Sequence, residues 1–213
     1  MKREFIRTIE IQNRHINDFE KADLFRGVTE ETLYSTDVDW RPMFESALPR
    51  HIPEDLGWDW WRKADLALGK PWLYEMYSVE KDGKTQGLMM ISKGGVDCFS
   101  RHSDHPQAPL IYIEYLATAP WNRPEMTQEH LYKGVGRWLF LEAVTFSVEQ
   151  ESDGRIGLHS LPRAEPFYRD RMNMTDFGNE PPRIHQGLRY FELSTKQAAV
   201  LIAEAASTTT GVD

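Results

Sequence analysis

The stretch from residue 109 to residue 136 constrains this chain more than any other. Residues 109–119 read Pro-Leu-Ile-Tyr-Ile-Glu-Tyr-Leu-Ala-Thr-Ala. β-Branched and aromatic side chains in such close succession pack best as a buried strand. Pro120 ends the run, because proline has no N–H to give to a ladder. After a polar connection comes Leu131-Tyr132-Lys133-Gly134-Val135-Gly136. Beyond it Val135, Leu139, Ala143 and Phe146 recur on one side of a helix. A strand that leads through a glycine turn into a helix presents free backbone N–H groups and the positive end of the helix dipole. Such a place attracts a phosphate or pyrophosphate, and glycine lets the anion reach the backbone. Gly-x-Gly is also frequently a tight turn and nothing more, so the residues alone leave both readings open. No Lys-Ser or Lys-Thr follows the glycines and no third glycine stands at the right spacing, which excludes a Walker site and a dinucleotide fingerprint.

The rest of the chain reads more simply. Residues 5–11 alternate and predict a short opening strand. Residues 17–70 are mixed and rich in aromatics; within them Leu56, Trp60, Ala64 and Leu68 recur every fourth residue and predict a helix over 53–68. Gly69-Lys70-Pro71 stops it. Segments 73–80 and 85–92 are strand-like around Asp82-Gly83, a hairpin turn signal. A polar loop covers 94–108. After Asp153-Gly154 the segment 155–160 (RIGLHS) reads as a second buried strand, 162–172 as a short helix and 188–193 as a late strand. A final helix over 194–206 opens with the capping-box pattern Ser194-x-x-Gln197, and 207–213 is expected to be a flexible tail. This order predicts a mixed α/β sheet with helices on both faces.

Charge narrows the function. The formal net charge of the 213 residues is -8, the reverse of what a protein needs to replace counterions on phosphate, so a nucleic-acid partner is not expected. The single cysteine, Cys98, allows no internal disulfide and suits a reducing compartment. No signal peptide and no run of about 20 apolar residues is visible. A cytoplasmic protein without a membrane partner is the expectation.

Three side chains invite a chemical role. Glu114 shares a strand face with Leu110, Tyr112, Leu116 and Thr118. A carboxylate there costs several kcal/mol if unpaired, or has a raised pKa, as a general base for an ammonium requires. A structural Glu paired with Arg or Lys at a sheet opening is the equal alternative. Tyr168, on the predicted 162–172 helix, is by itself an ordinary packing residue. His159 lies on the RIGLHS strand, where an acceptor contact competes with packing. Other signals point to structure. His102-x-x-His105 with Asp104 and Cys98 has poor spacing for structural zinc, and no metal site is expected. Cys98 lacks an evident activating neighbour. Trp58, Trp60 and Trp61 could stack on a ligand, but helical spacing favours core packing for Trp60.

Taken together, the runs PLIYIEYLATAP, YKGVGRWLFLEAV and RIGLHSLPRAEPFYRDRMNM resemble the core of the GNAT superfamily of N-acyltransferases, over residues 73–174 and loosely to 193. The resemblance implies an α/β fold with a mixed, mostly antiparallel twisted sheet, helices on both faces, and strands splayed at an acyl-CoA cleft. It implies one domain over 1–206, with a CoA-binding core at 73–193 and a variable acceptor side at 1–70. It further implies transfer of an acetyl or other short acyl group from acetyl-CoA, a co-substrate, to a primary amine by direct attack. Backbone groups of Leu116, Ala117 and Thr118 would pair with the pantetheine arm. The amides of Lys133, Gly134, Val135, Gly136 and Arg137 would hold the pyrophosphate. Strand 155–160 would splay from 109–119. Tyr168 would protonate the departing thiolate, and Glu114 stands where a base is often placed. Leu131 replaces the Gln or Arg usual at the start of the family loop, so one pyrophosphate contact is either absent or supplied by Arg123 or Lys133, and the 121–132 connection is longer than usual. The partner implied is a small-molecule or peptide amine, and a homodimer stays open. A GNAT-like module that binds acyl-CoA as a sensor without turnover is the alternative; a structural protein with a mere Gly-x-Gly turn is the third.

Overall fold

The computed structural model describes residues 3–47, 52–127 and 130–209. Among them nine strands form one sheet: β1 Glu4–Asn13, β2 Asp18–Arg26, β3 Tyr74–Lys81, β4 Lys84–Ser92, β5 Ile111–Thr118, β6 Tyr132–Lys133, β7 Ile156–Ser160, β8 Thr175–Asn179 and β9 Arg189–Leu193. Their order is β6-β1-β2-β3-β4-β5-β7-β9-β8. Pairs β1/β2, β1/β6, β2/β3, β7/β9 and β8/β9 are antiparallel. β5 and β7 are parallel, with Ile111, Tyr112 and Ile113 opposite Ile156, Gly157 and Leu158. The helices are α1 Glu30–Ser35, α2 Arg41–Ala47, α3 Trp60–Gly69, α4 Val135–Glu149 and α5 Thr195–Thr209. The mixed α/β class with a mostly antiparallel sheet is therefore as the sequence predicts.

The chain divides into two compact units, one of Met1–Met90 with Tyr115–Leu139, the other of Ile91–Glu114 with Phe140–Asp213. In the first, the core gathers Leu33, Trp40, Phe44, Trp60, Ala64, Met76, Leu88 and Ala117. Trp40 is buried and satisfies its indole N–H on the Thr85 carbonyl at 3.0 Å. Helix α3 starts seven residues later than its periodicity suggests. Asp59 adopts an extended conformation and caps the helix by accepting from the Arg62 N–H, and ahead of it residues 54–57 form a turn instead. Trp60 (5% exposed) and Ala64 (1%) do face the core, whereas Leu56 (37%) and Leu68 (55%) do not. The hairpin at Asp82-Gly83 forms as expected, both residues having positive φ (51° and 72°). Strand β2, helices α1 and α2, and the π-helical turn Thr36–Trp40 between those helices carry no clear periodic signal in the sequence.

In the second unit β7 lies beside β9. Helix α4 buries Ala143 and Phe146 here and Val135 and Leu139 in the first unit, the four positions its spacing singles out. Arg155, buried before β7, donates to the Pro109 carbonyl, to Asp153 and to Thr195. Helix α5 opens with the predicted capping box: the Ser194 N–H donates to Gln197 Oε1 at 2.8 Å and the Gln197 N–H to Ser194 Oγ at 3.4 Å. Of the expected tail at 207–213, residues 207–209 close α5 and 210–213 lie outside the described residues. Residues 48–51 of the acceptor side and 128–129 of the long connection also lie outside them. No helix among the described residues is long and apolar enough to cross a membrane.

Candidate functional site

The glycine turn is pinned on its strand side and open on its helix side. β6 pairs with β1, placing Lys133 opposite Gln12 and Tyr132 opposite Asn13. Asn122 Oδ1 accepts from the Tyr132 N–H at 3.0 Å, and the Trp121 carbonyl accepts from the Leu131 N–H at 2.7 Å. Gly134 then turns the chain with φ +102°, a conformation that favours glycine, and a Cβ built on it meets nothing within 4 Å. The Trp138 N–H bonds the Gly134 carbonyl at 3.0 Å and closes the first turn of α4. The amides of Val135, Gly136 and Arg137 thus belong to the helix end that has no carbonyl one turn below, and the dipole favours an anion before them. Val135 is buried against Gly87 of β4, where an added Cβ would stand 2.7 Å from Val135 Cγ1 and 3.2 Å from the Ala117 carbonyl oxygen. Absence of a side chain at Gly87 sets how closely α4 seats on the sheet.

On β5, Ala117 is buried and Leu116 and Thr118 are half-buried. The Thr118 carbonyl already accepts from Arg123 Nε at 2.6 Å. The same guanidinium grips Asp55 with both terminal nitrogens, at 2.8 and 2.7 Å. Arg123 is therefore engaged through all three nitrogens, and it cannot stand in for the basic residue that Leu131 replaces. Lys133, exposed at the end of β6, remains available for that contact.

In the second unit Glu114 is half-buried. Burial pushes its carboxyl pKa up and the charge of Asp97 adds to the rise, against a hydrogen bond from Ser92 and the charge of His185. Ser92 Oγ also lies 3.6 Å from the Sγ of Cys98, a buried thiol whose pKa burial raises. Next to Glu114's side of the strand, the Tyr112 hydroxyl meets His159 Nδ1 at 2.6 Å. His159 stacks on His185 with ring centroids 3.8 Å apart, and its Nε2 is 3.4 Å from Glu180. His185 in turn lies 3.1 Å from Asp97. Burial, reinforced by His185, pushes the His159 pKa down to about 4, so the ring is neutral at physiological pH. Glu114 thus belongs to a connected polar group with Ser92, Asp97 and His185. Tyr112 was legible, being two residues before Glu114 on one strand face. Asp97 and His185 carried no signal, because they lie on irregular segments that only the tertiary fold brings together.

Tyr168 is 6% exposed. Its ring packs beside Phe167 (5.1 Å between centroids), Phe140 and Phe191 (6.2 Å each), and burial pushes the phenol pKa up. The segment is not the regular α-helix that the spacing of Ala164 and Tyr168 suggests. A 3₁₀ turn covers Pro162–Ala164 and a π-helical turn Phe167–Arg171, closed by the Met172 N–H on the Phe167 carbonyl at 3.0 Å. Single π turns are frequent at functional sites, where they re-aim a side chain.

The first unit also holds a cleft of about 290 Å³ whose aromatic lining is Trp40, Phe44, Trp58 and Trp60. Trp61 donates its indole N–H to Asp37 at 2.8 Å. Of the two loop histidines, His102 packs edge-on to Phe177, and the His105 N–H bonds the His102 carbonyl. Among the described residues no group of three or more His, Cys, Asp or Glu could hold a metal ion.

A scan against protein-family models and a search of curated proteins found no match to the sequence. Solved structures do match. A Desulfovibrio desulfuricans protein described as an acetyltransferase of the GNAT family superposes with a TM-score of 0.52 at 14% identity, over 82% of this chain and 99% of its own. FeeM, an N-acyl amino acid synthase from uncultured soil microbes, does so with a TM-score of 0.55 at 11% identity, over 86% of this chain and 98% of its own. At such identities the likeness is one of fold alone. The chain has the GNAT N-acetyltransferase fold.

Proposed function

We propose that the chain moves an acetyl or other short acyl group from acyl-CoA to a primary amine by direct attack. The observation that supports this is the β6–Gly134–α4 turn, which combines a positive φ, open space around the glycine and the amide end of a 15-residue helix. In the GNAT fold a diphosphate fits there, held by the amides of Gly134, Val135, Gly136 and Arg137 with Lys133 alongside. Leu116 and Ala117 would pair with the pantetheine arm; Thr118 contributes less, its carbonyl being shared with Arg123. In the reaction the amine nitrogen bonds to the thioester carbon and the C–S bond breaks. Glu114 takes the proton that the attacking amine must lose, directly or through water. Tyr168 gives its proton to the leaving sulfur, and burial keeps it in the protonated form that an acid must start from.

CoA-induced thermal stabilisation tests the site. Gly136 lies within α4 and has no positive φ, so a side chain there meets no backbone strain. Gly136→Val is expected to fold and to lose most of the CoA-induced shift, whereas an unchanged shift removes the turn as the diphosphate site. Leu131 and the engaged Arg123 favour one second reading, a module that binds acyl-CoA without turnover. Release of CoA from acetyl-CoA in the presence of amines separates the two.

A further inference from the structure

The acidic, aromatic cleft of the first unit fits a definite kind of molecule. It is formed where the π-helical turn and α2 face the turns before α3. Its aromatic lining is Trp40, Phe44, Trp58 and Trp60, of which Trp58 is half-buried and the other three are buried. Asp37, Glu45, Asp55 and Asp59 contribute four carboxylates to the lining, against a single guanidinium, Arg41. Asp55 is paired with Arg123 at 2.7 Å. Asp59 is occupied in capping α3, and Asp37 is 3.4 Å from Arg41. Glu45, exposed on α2, also lines the cleft. At about 290 Å³ the volume suits a small molecule, close to the lower bound of roughly 300 Å³ for ligand pockets.

The chain itself demonstrates what these rings accept. The Lys63 ammonium lies 3.9 Å from the centroid of Tyr115, 5.5 Å from that of Trp58 and 5.8 Å from that of Trp60. Aromatic faces attract a cation through their quadrupole, most strongly when water is excluded. Trp58 also touches Tyr115 edge-on, with centroids 4.9 Å apart. Tyr115 immediately precedes Leu116, where the pantetheine arm is proposed to pair. One aromatic wall therefore runs from the cleft to the strand that would present the thioester, within a single unit.

We propose that this cleft binds the acyl acceptor, and that it selects a cationic amine with an apolar or aromatic body and rejects one bearing a carboxylate. This rests on the acyl-transfer reading for the word acceptor, but the binding selectivity does not. The test uses the full chain without CoA and four probes: 4-phenylbutylamine, the neutral 4-phenylbutanol, the anionic 4-phenylbutyrate, and phenylalanine. Affinity is read by calorimetry. The amine is expected to bind at least about 10-fold more tightly than the alcohol, with the butyrate and phenylalanine weaker still. Glu45→Lys should remove that preference and leave CoA-induced stabilisation as it is. Should the alcohol bind as tightly as the amine, or Glu45→Lys leave the amine's affinity unchanged in a folded protein, the cleft is not a cation site. Turnover then separates the two ideas. Selective binding of the amine with no release of CoA from acetyl-CoA overturns acyl transfer and leaves the cleft standing. Release of CoA with phenylalanine as fast as with 2-phenylethylamine overturns the selectivity and leaves acyl transfer standing.

Discussion

Glu114 occupies a position where burial and the charge of Asp97 both oppose ionisation, and the fold tolerates that opposition. The consequence for stability has a definite sign. Its folded pKa lies above the unfolded value, so between the two the native state holds more protons than the unfolded chain. Stability from this group is greatest below the ordinary carboxylate pKa of 4.5 and falls as pH rises through the raised value. Glu114→Gln removes the charge and keeps the shape. At neutral pH it is expected to raise Tm while lowering turnover, because the ammonium that must become the attacking amine loses the acceptor for its proton. The deficit in turnover should grow as pH falls below the amine's own pKa and shrink above it, where free amine is abundant. A variant that is less stable than wild type and equally active at every pH would make Glu114 a structural residue. Ser92 and His185 both favour the ionised form here, one by hydrogen bond and one by charge.

Among the elements, α4 transmits the state of the sheet to the glycine turn. Val135 at its start and Leu139 one turn on both rest on Gly87, so the place of the amide end depends on a missing side chain. Gly87→Ala would put its Cβ 2.7 Å from Val135 Cγ1. Overpacking of this kind typically costs about 1–3 kcal/mol. Because the helix must lift at its N-terminal end, CoA affinity should fall along with Tm, while Gly83→Ala at the exposed hairpin turn should lower Tm alone. Denaturant melts and CoA titrations of the two variants check this; loss of stability at Gly87 with unchanged CoA affinity would separate the turn from the helix seat. What was legible in the sequence follows the same division. Strand β5, the turn, α4 and the β3–β4 hairpin are specified by local signals: ring and β-branched runs, a glycine turn, a spacing of three and four. β6 is two residues long and exists only through its pairing with β1, and β8 is a short strand whose register shifts against β9. β2 carries charged residues on its half-exposed positions and declares itself only beside β1. Helix α1 is capped by Thr29 and Thr32 instead of the usual Thr and Glu, and Asp59 moved the start of α3. The candidate base was visible as a charge in an apolar strand. Its neighbours were not, since Asp97 and His185 lie 17 and 71 residues away in the chain.

At the scale of the whole molecule, resistance to acid should be set largely by the polar group around His159. Its ring is buried, with 2% of the side chain exposed. His185 is stacked on it, Tyr112 meets Nδ1, Glu180 faces Nε2 with Arg101 beyond, and Asp97 lies next to His185. Burial and the neighbouring imidazole hold its pKa at about 4, against 6.5 for an ordinary histidine. Between these values the unfolded chain binds a proton that the native state refuses, so stability rises with pH across the window. The contribution is fully present above pH 6.5 and drains away as pH falls toward 4. The loss accumulated by the bottom of the window is on the order of 3 kcal/mol, from 1.36 kcal/mol per pKa unit. Glu114 works in the opposite direction over an overlapping range, so wild type shows only the difference of the two. The double comparison resolves them. Relative to wild type, Glu114→Gln should steepen the loss of Tm between pH 6.5 and 4, and His159→Gln should flatten it. Equal slopes in all three proteins would mean that the acid response arises elsewhere in the chain and that the His159 ring gains its proton without opening the second unit.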